Sequence, residues 1–248
     1  MIRLGVLTPS SNTVLEPLSV AMVAGLPEVS LHFSRFRVTE IALSVGALAQ
    51  FDDGPVLAAA ELLADARVHS IVWSGTSASW LGFERDRALC AAITAATGVP
   101  AATSVLALNA ALAARGVRRL GLVTPYTADV QARIVANYAT LGIGCVAERH
   151  VGLRDNFSFA EVTDAALDGM VREAAQVRAG ARPDAIAIVC TNLRAAALVA
   201  GWEAALGVPV YDSVAAALWQ GLALAGADPA RVVGWGGLFG CPVSPASP

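Results

Sequence analysis

The chain has 248 residues, enough for one large domain or two small ones; 56% are hydrophobic and 15% charged, which supports a sizeable core. A formal net charge of −3, with 17 cationic side chains and no basic run, excludes the usual footprint of a nucleic-acid surface. No apolar stretch reaches the about 18 residues of a membrane span, and the opening MIRLGVLTPSSN lacks the long apolar run of a signal peptide, so a cytoplasmic protein is expected.

In chain order, a short apolar strand at Leu4–Leu7 ends at Thr8-Pro9 and a helix follows. A second buried strand, Ser70–Trp73, stops abruptly in Ser74, Gly75, Thr76, Ser77 and Ser79, a patch of hydrogen-bond donors without charge. An Ala-rich helix carrying Cys90 leads to Gly98-Val99-Pro100, a short strand, and a helix start with Ser104 as its expected N-cap. The same grammar then recurs. A strand at Leu120–Val123 ends at Thr124-Pro125 and is followed by a helix, and Cys145 is expected just before a strand. A buried strand at Ala185–Val189 ends in Cys190-Thr191-Asn192. Gly207-Val208-Pro209 then precedes a strand and a helix with Ser213 as its expected N-cap.

This recurrence is visible residue by residue. RLGVLTPSSNTV (3–14) and RLGLVTPYTADV (119–130) share six of twelve positions. HSIVWSGTS (69–77) matches DAIAIVCTN (184–192), and ATGVPAATSVLA (96–107) matches ALGVPVYDSVAA (205–216), so three matches run in order at offsets of 116, 115 and 109. The predicted fold is α/β: two pseudo-twofold-related, Rossmann-like (flavodoxin-like) halves, each a parallel sheet flanked by helices. The first half is expected to comprise residues 1–103 plus 214–248, and the second 104–213. Ligands of open parallel sheets bind beyond the carboxyl ends of the strands. The loops Thr8–Asn12, Gly75–Ser77, Thr124–Tyr126 and Cys190–Asn192 should therefore line one cleft between the halves. The alignment also sets Gly75 opposite Cys190: a glycine stands where a mirror-image cysteine could.

TPSSNTVLEP at the start, HFSRFRV (32–38), RDNFSFA (154–160) and GTSASW followed by Gly82 together resemble the aspartate/glutamate racemase superfamily, over nearly the whole chain to about residue 240. The opening, HFSRFRV and RDNFSFA are similar to the maleate cis-trans isomerase branch; GTSASW resembles the arylmalonate decarboxylases. The resemblance implies a division of labour between thiols. Racemases use two cysteines, one on each face of a planar carbanion. Maleate isomerases use the first as nucleophile and the second as proton donor. Arylmalonate decarboxylases keep only the second, as this chain keeps only Cys190.

The expected function is cofactor-independent decarboxylation of a malonate-type diacid. Loss of CO2 leaves an enediolate, whose oxygens need preorganised donors; Thr76, Ser77 and Tyr126 can form a neutral oxyanion hole. Cys190 is the expected proton donor, since an ordinary thiol is mostly protonated at neutral pH. Gly75 is expected to leave room for a bulky substituent, with Trp73, Trp80 and Leu81 as apolar walls. Pro9, Ser10, Asn12, Thr191, Asn192 and Trp80 are candidate substrate-binding residues. The bland readings are an inert core cysteine at 190, a plain capped turn at 75–77 and an N-cap series at 10–12. Cys90 reads as core, Cys145 as structural, and Cys241 as exposed or packing. Arg35 and Arg37 read as surface or interface residues, and His32, His69 and His150 have no partner pattern. No metal, biotin or thiamine site is expected, and no GxGxxG or P-loop is present. The expected partner is a small carboxylate, with neither nucleic acid nor membrane; a homo-oligomer is left open. Alternatives are a maleate isomerase or racemase relative, and a non-catalytic small-acid binder.

Overall fold

The computed structural model describes residues 1–176 and 181–243; the end of the expected first half, 244–248, lies outside the described residues. In chain order the elements begin β1 (Ile2–Pro9), α1 (Leu15–Met22), β2 (Val29–Phe36), α2 (Val45–Ala49), α3 (Asp53–Asp65), β3 (Ser70–Trp73), α4 (Ala78–Leu81), α5 (Phe83–Thr97), β4 (Ala101–Thr103) and α6 (Ser104–Ala114). They continue with β5 (Arg119–Thr124), α7 (Ala128–Thr140), β6 (Gly144–His150), a 3-10 turn at Phe157–Glu161, α8 (Asp164–Ala174), β7 (Ala185–Ile188), α9 (Val199–Leu206), β8 (Val210–Asp212) and α10 (Ser213–Leu224). Each half is a four-stranded parallel sheet, ordered β2-β1-β3-β4 and β6-β5-β7-β8, flanked by helices, as the repeat required.

The repeat survives at the level of register. Leu4 pairs with Ser70 as Leu120 pairs with Ala185, and Ile71 pairs with Ala101 as Ile186 pairs with Val210. Counting on from these pairs, Gly75 and Cys190 are equivalent positions. The inner strands β3 and β7 are buried at every residue, as expected of strands covered by helices on both faces. The repeated Gly-Val-Pro also has a physical cause. Gly98 and Gly207 end α5 and α9 in the left-handed region, at φ 71° and 61°, donating to Thr94 and Glu203 carbonyls.

Three local expectations are corrected. The caps of α6 and α10 are Thr103 and Asp212, one residue before the expected Ser104 and Ser213. Both have extended backbones, and their side chains accept from Leu106 N and from Val214 N and Ala215 N. Ser104 and Ser213 are the first helical residues, and the Ser213 hydroxyl donates instead to Ile188 O at 2.6 Å. Cys145 lies inside β6 rather than before it. The strand Ala185–Val189 stops at Ile188.

The sheets are linked by helix docking. α10 lies along α6 and across β3 and β4, with no side chain at Gly221, where a Cβ would come within 2.9 Å of Val72 Cγ1. Ser70 donates to Gly221 O at 2.9 Å from below. At the carboxyl ends of the strands the halves also touch directly: Glu40 and Asp155 form an antiparallel bridge, and Ile41 N and Asn156 N donate to Arg154 O and Thr39 O.

Candidate active site

The strand-end loops meet where the repeat places them. Pro9 from β1, Gly75-Thr76-Ser77 after β3, Tyr126 after β5 and Cys190-Thr191 after β7 line one partly open cavity, together with Trp73, Trp80 and the apolar side chains of Val38, Ile41 and Phe51. Among the described residues, no charged side chain lines it. Its volume is about 20 Å³, little more than the space of one water.

On one wall, Thr76 Oγ1 and Tyr126 Oη are 2.6 Å apart, and either can donate. The Thr76 carbonyl accepts both the backbone N–H and the hydroxyl of Ser79, which fixes the turn. Ser77 precedes α4 but its side chain makes no cap bond, so the turn is not a simple serine cap. Among the described residues, no acceptor meets the backbone N–H of Thr76 or Ser77. Tyr126 is held edge-on between Trp80 and Phe159, with centroids at 5.1 and 5.5 Å. Trp80 Nε1 is buried without a partner among the described residues.

Cys190, which follows β7 in the same sheet as β5, lies beside Tyr126 of this wall and is 2% exposed. Burial pushes its thiol up to about 12, while Asn192 N–H, which donates to Sγ at 3.3 Å, pulls the other way. Burial likewise raises the Tyr126 hydroxyl well above its usual range, with the adjacent Cys190 adding to the effect. Both groups are therefore neutral at ordinary pH.

The remaining expected residues hold the loops in place. Asn12 Nδ2 donates to Thr191 O at 3.0 Å, and its Oδ1 accepts from Val14 N and Leu15 N, so both ends of the amide are engaged. Asn192 accepts from Thr13 N and donates to Asn156 O. Ser10 is exposed, with its hydroxyl on the Val38 backbone. None of Ser10, Asn12 and Asn192 lines the cavity. Arg35, expected at the surface, pairs with Glu16 and donates to Ser10 O and Asn12 O, bracing the same loop. Val38, Ile41, Phe51 and Asn156 line the cavity and were not anticipated, although Val38 and Asn156 belong to the HFSRFRV and RDNFSFA stretches.

Gly75 requires a correction. The space beside it is not open: a Cβ there would overlap Cζ2 and Cε2 of Trp73 and stand 2.6 Å from Cη2. Its φ is not left-handed, so the glycine is needed for the close approach of the indole rather than for the backbone. Among the other thiols, Cys90 is half-buried in α5, Cys145 donates to Ala147 O, and Cys241 is buried against the Arg115 guanidinium. Among the described residues, no group of three His, Cys, Asp or Glu side chains is placed to hold a metal.

The arylmalonate decarboxylase family model matches residues 27–239. Arylmalonate decarboxylase of Bordetella bronchiseptica is 34% identical over 166 residues, 66% of this chain and 68% of that protein. A maleate isomerase of Pseudomonas putida S16, solved with maleate, superposes with a TM-score of 0.85 at 26% identity, over 96% of this chain and 97% of that one. A glycine-to-cysteine, cysteine-to-serine double mutant of arylmalonate decarboxylase in its liganded form gives 0.83 at 26% identity, over 96% and 99%.

Proposed function

The chain belongs to the arylmalonate decarboxylase family, and on that premise we propose that it is a cofactor-independent carboxy-lyase acting on a malonate-type diacid. The observation that carries the reading is the composition of the cavity: one thiol, a glycine at the repeat-related position, and neutral donors between them. The α-carbon to carboxylate bond breaks, CO2 leaves, and its electron pair enters an enediolate. Thr76, Ser77 and Tyr126 donate to the enediolate oxygens. Such donors act on charge that develops during the reaction and do not hold the ground-state dianion as an arginine would. The unpartnered indole N–H of Trp80 gains an acceptor when a carboxylate binds, removing a burial cost of about 1–3 kcal/mol.

Cys190 transfers its proton to one face of the carbanion, and solvent returns a proton to the thiolate. A thiol raised to about 12 suits a donor that must enter each cycle protonated. With glycine at the opposite position, no second acid reaches the other face, so protonation is confined to one face and an α,α-disubstituted malonate gives a chiral acid. Lysine Schiff-base chemistry is unavailable, because all 17 cationic residues are arginine.

A second reading is isomerisation of a cis dicarboxylate, favoured by the superposition with maleate isomerase over 96% of this chain. Gly75 weighs against it, because the maleate-isomerase pattern uses a cysteine there as nucleophile. Alkyl- and arylmalonates, maleate and aspartate incubated with the purified protein separate the readings, with CO2 release and proton NMR in D2O as readouts. The expected result is CO2 release from a malonate, with kcat flat between about pH 7 and 10 and reduced about 10³-fold by Cys190→Ser. Fumarate formation without CO2 would transfer the chain to the isomerases, and near-parental turnover by Cys190→Ser would remove the thiol from the mechanism.

A further inference from the structure

Trp73 is the last residue of β3, paired to Leu7 on one side and Thr103 on the other. Its indole turns back over the α-carbon of Gly75 and packs on Phe36, with ring centroids 4.8 Å apart. The side of the cavity opposite Cys190 is thus already filled by an aromatic ring that belongs to the protein. A benzene ring needs a dry cavity of about 150 Å³; the space present is about 20 Å³.

We infer that Trp73 limits the size of the substrate's α-substituent, so that this chain accepts malonates carrying hydrogen or a small alkyl group and excludes aryl groups. The inference rests on the decarboxylase reading. Any malonate requires the walls to part, and they do not part equally. The Ile41 and Phe51 side chains come from the connection between β2 and α3 and can swing aside without breaking a sheet, while Ile41 N stays bonded to Arg154 O. Trp73 is anchored in a strand with neighbours on both sides, and its ring is wedged between Phe36 and the Gly75 backbone. Withdrawal of Ile41 and Phe51 makes room for the carboxyl groups beside Thr76 and Ser77, but not for a ring on the Gly75 face.

Two readouts test the limit, each on the parent, Trp73→Leu and the more conservative Trp73→Phe, with circular dichroism to verify folding. The first is kcat/KM for malonate, methylmalonate, ethylmalonate and phenylmalonate. The second is NMR-measured affinity for the unreactive acids propionate and phenylacetate. The parent should prefer methylmalonate to phenylmalonate by at least about tenfold, which corresponds to about 1.4 kcal/mol. Trp73→Leu should narrow or invert that ratio, with Trp73→Phe between the two. Phenylacetate should bind at least about tenfold tighter to Trp73→Leu than to the parent, with propionate unchanged. A parent that handles phenyl as well as methyl, or a ratio unmoved by either variant, would overturn the inference. If no protein releases CO2 from any malonate, the decarboxylase reading falls, and the affinity ratio of the two acids alone decides the size limit.

Discussion

At the scale of single residues, the pair Thr76–Tyr126 carries the sharpest expectation. One of the two hydroxyls donates to the other across 2.6 Å in a site with no charged lining among the described residues, where each donor is worth more than in water. Tyr126→Phe removes the hydroxyl and leaves the ring edge-on to Trp80 and Phe159, so folding should be little affected. If Tyr126 donates to developing charge, kcat should fall about 10²- to 10³-fold with a much smaller change in KM. A change confined to KM in steady-state kinetics would reduce Tyr126 to a positioning residue. Cys190 shows why composition alone could not settle the chemistry. Four cysteines are equivalent in a count, and the fold gives only Cys190 a place among the donors.

At the scale of elements, the starts of α6 and α10 show how the two halves diverged. Thr103 and Asp212 occupy equivalent strand ends, and both cap the helix that follows. In the first half the cap hydroxyl also donates to Asp86, a buried carboxyl on α5. In the second half the cap is itself the buried carboxyl, with Oδ2 unpartnered among the described residues. Burial raises both carboxyls to about 7. Between the usual carboxyl range and about 7, the folded protein keeps these protons and the unfolded chain loses them, so stability falls as pH rises through that window. Urea midpoints should therefore be higher at pH 5 than at pH 8. Asp86→Asn, which still accepts from Thr103, should remove up to about 1.4 kcal/mol of this dependence per pH unit. An unchanged slope would mean that Asp86 is already ionised in the folded state.

At the scale of the molecule, the seam between the halves is a buried polar network. Asn12 reaches Thr191, Thr191 Oγ1 donates to Ser74 O, and Asn156 donates to Ser11 Oγ. This network keeps the carboxyl ends of two separate sheets in register across the cavity. It also places Gly75 and Cys190 on the same cavity, which makes the repeat testable as geometry. A thiol introduced by Gly75→Cys should let a proton leave one face and return on the other, so an enantiopure α-substituted acid should racemise and exchange in D2O. The Trp73 ring adds a condition, because it occupies the space of the new Cβ. Gly75→Cys with Trp73→Leu should therefore exchange faster than Gly75→Cys alone, and Cys190→Ala should abolish exchange in both. Chiral chromatography reads the outcome. Its absence from a folded Gly75→Cys/Trp73→Leu protein would mean that the two positions do not face one carbon.

The repeat, and with it the fold, was legible in the sequence because strand ends carry strong local signals. Thr8-Pro9 and Thr124-Pro125 close apolar strands, and Gly98-Val99-Pro100 and Gly207-Val208-Pro209 stop helices, each by a steric rule acting over a few residues. Thr76, Ser77, Tyr126 and Cys190 came from the same signals, since strand ends are where parallel sheets expose their loops. The edge strands β2 and β6 were less legible, β6 only as a strand expected after Cys145. VSLHFSRF alternates Val29, Leu31 and Phe33 with Ser30, His32 and Ser34, the weaker signal of a half-buried strand, and neither it nor GCVAERH is a continuous apolar run like β3 and β7. Nor could local pattern show that the polar side chains of Asn12 and Asn192 turn toward the seam rather than the cavity, because their partners Thr191 and Asn156 lie 179 and 36 residues away. The space beside Gly75 was likewise decided only in three dimensions. Sequence shows that a side chain is missing there; the rotamer of Trp73, set by packing on Phe36 from another strand, determines that an indole fills the gap.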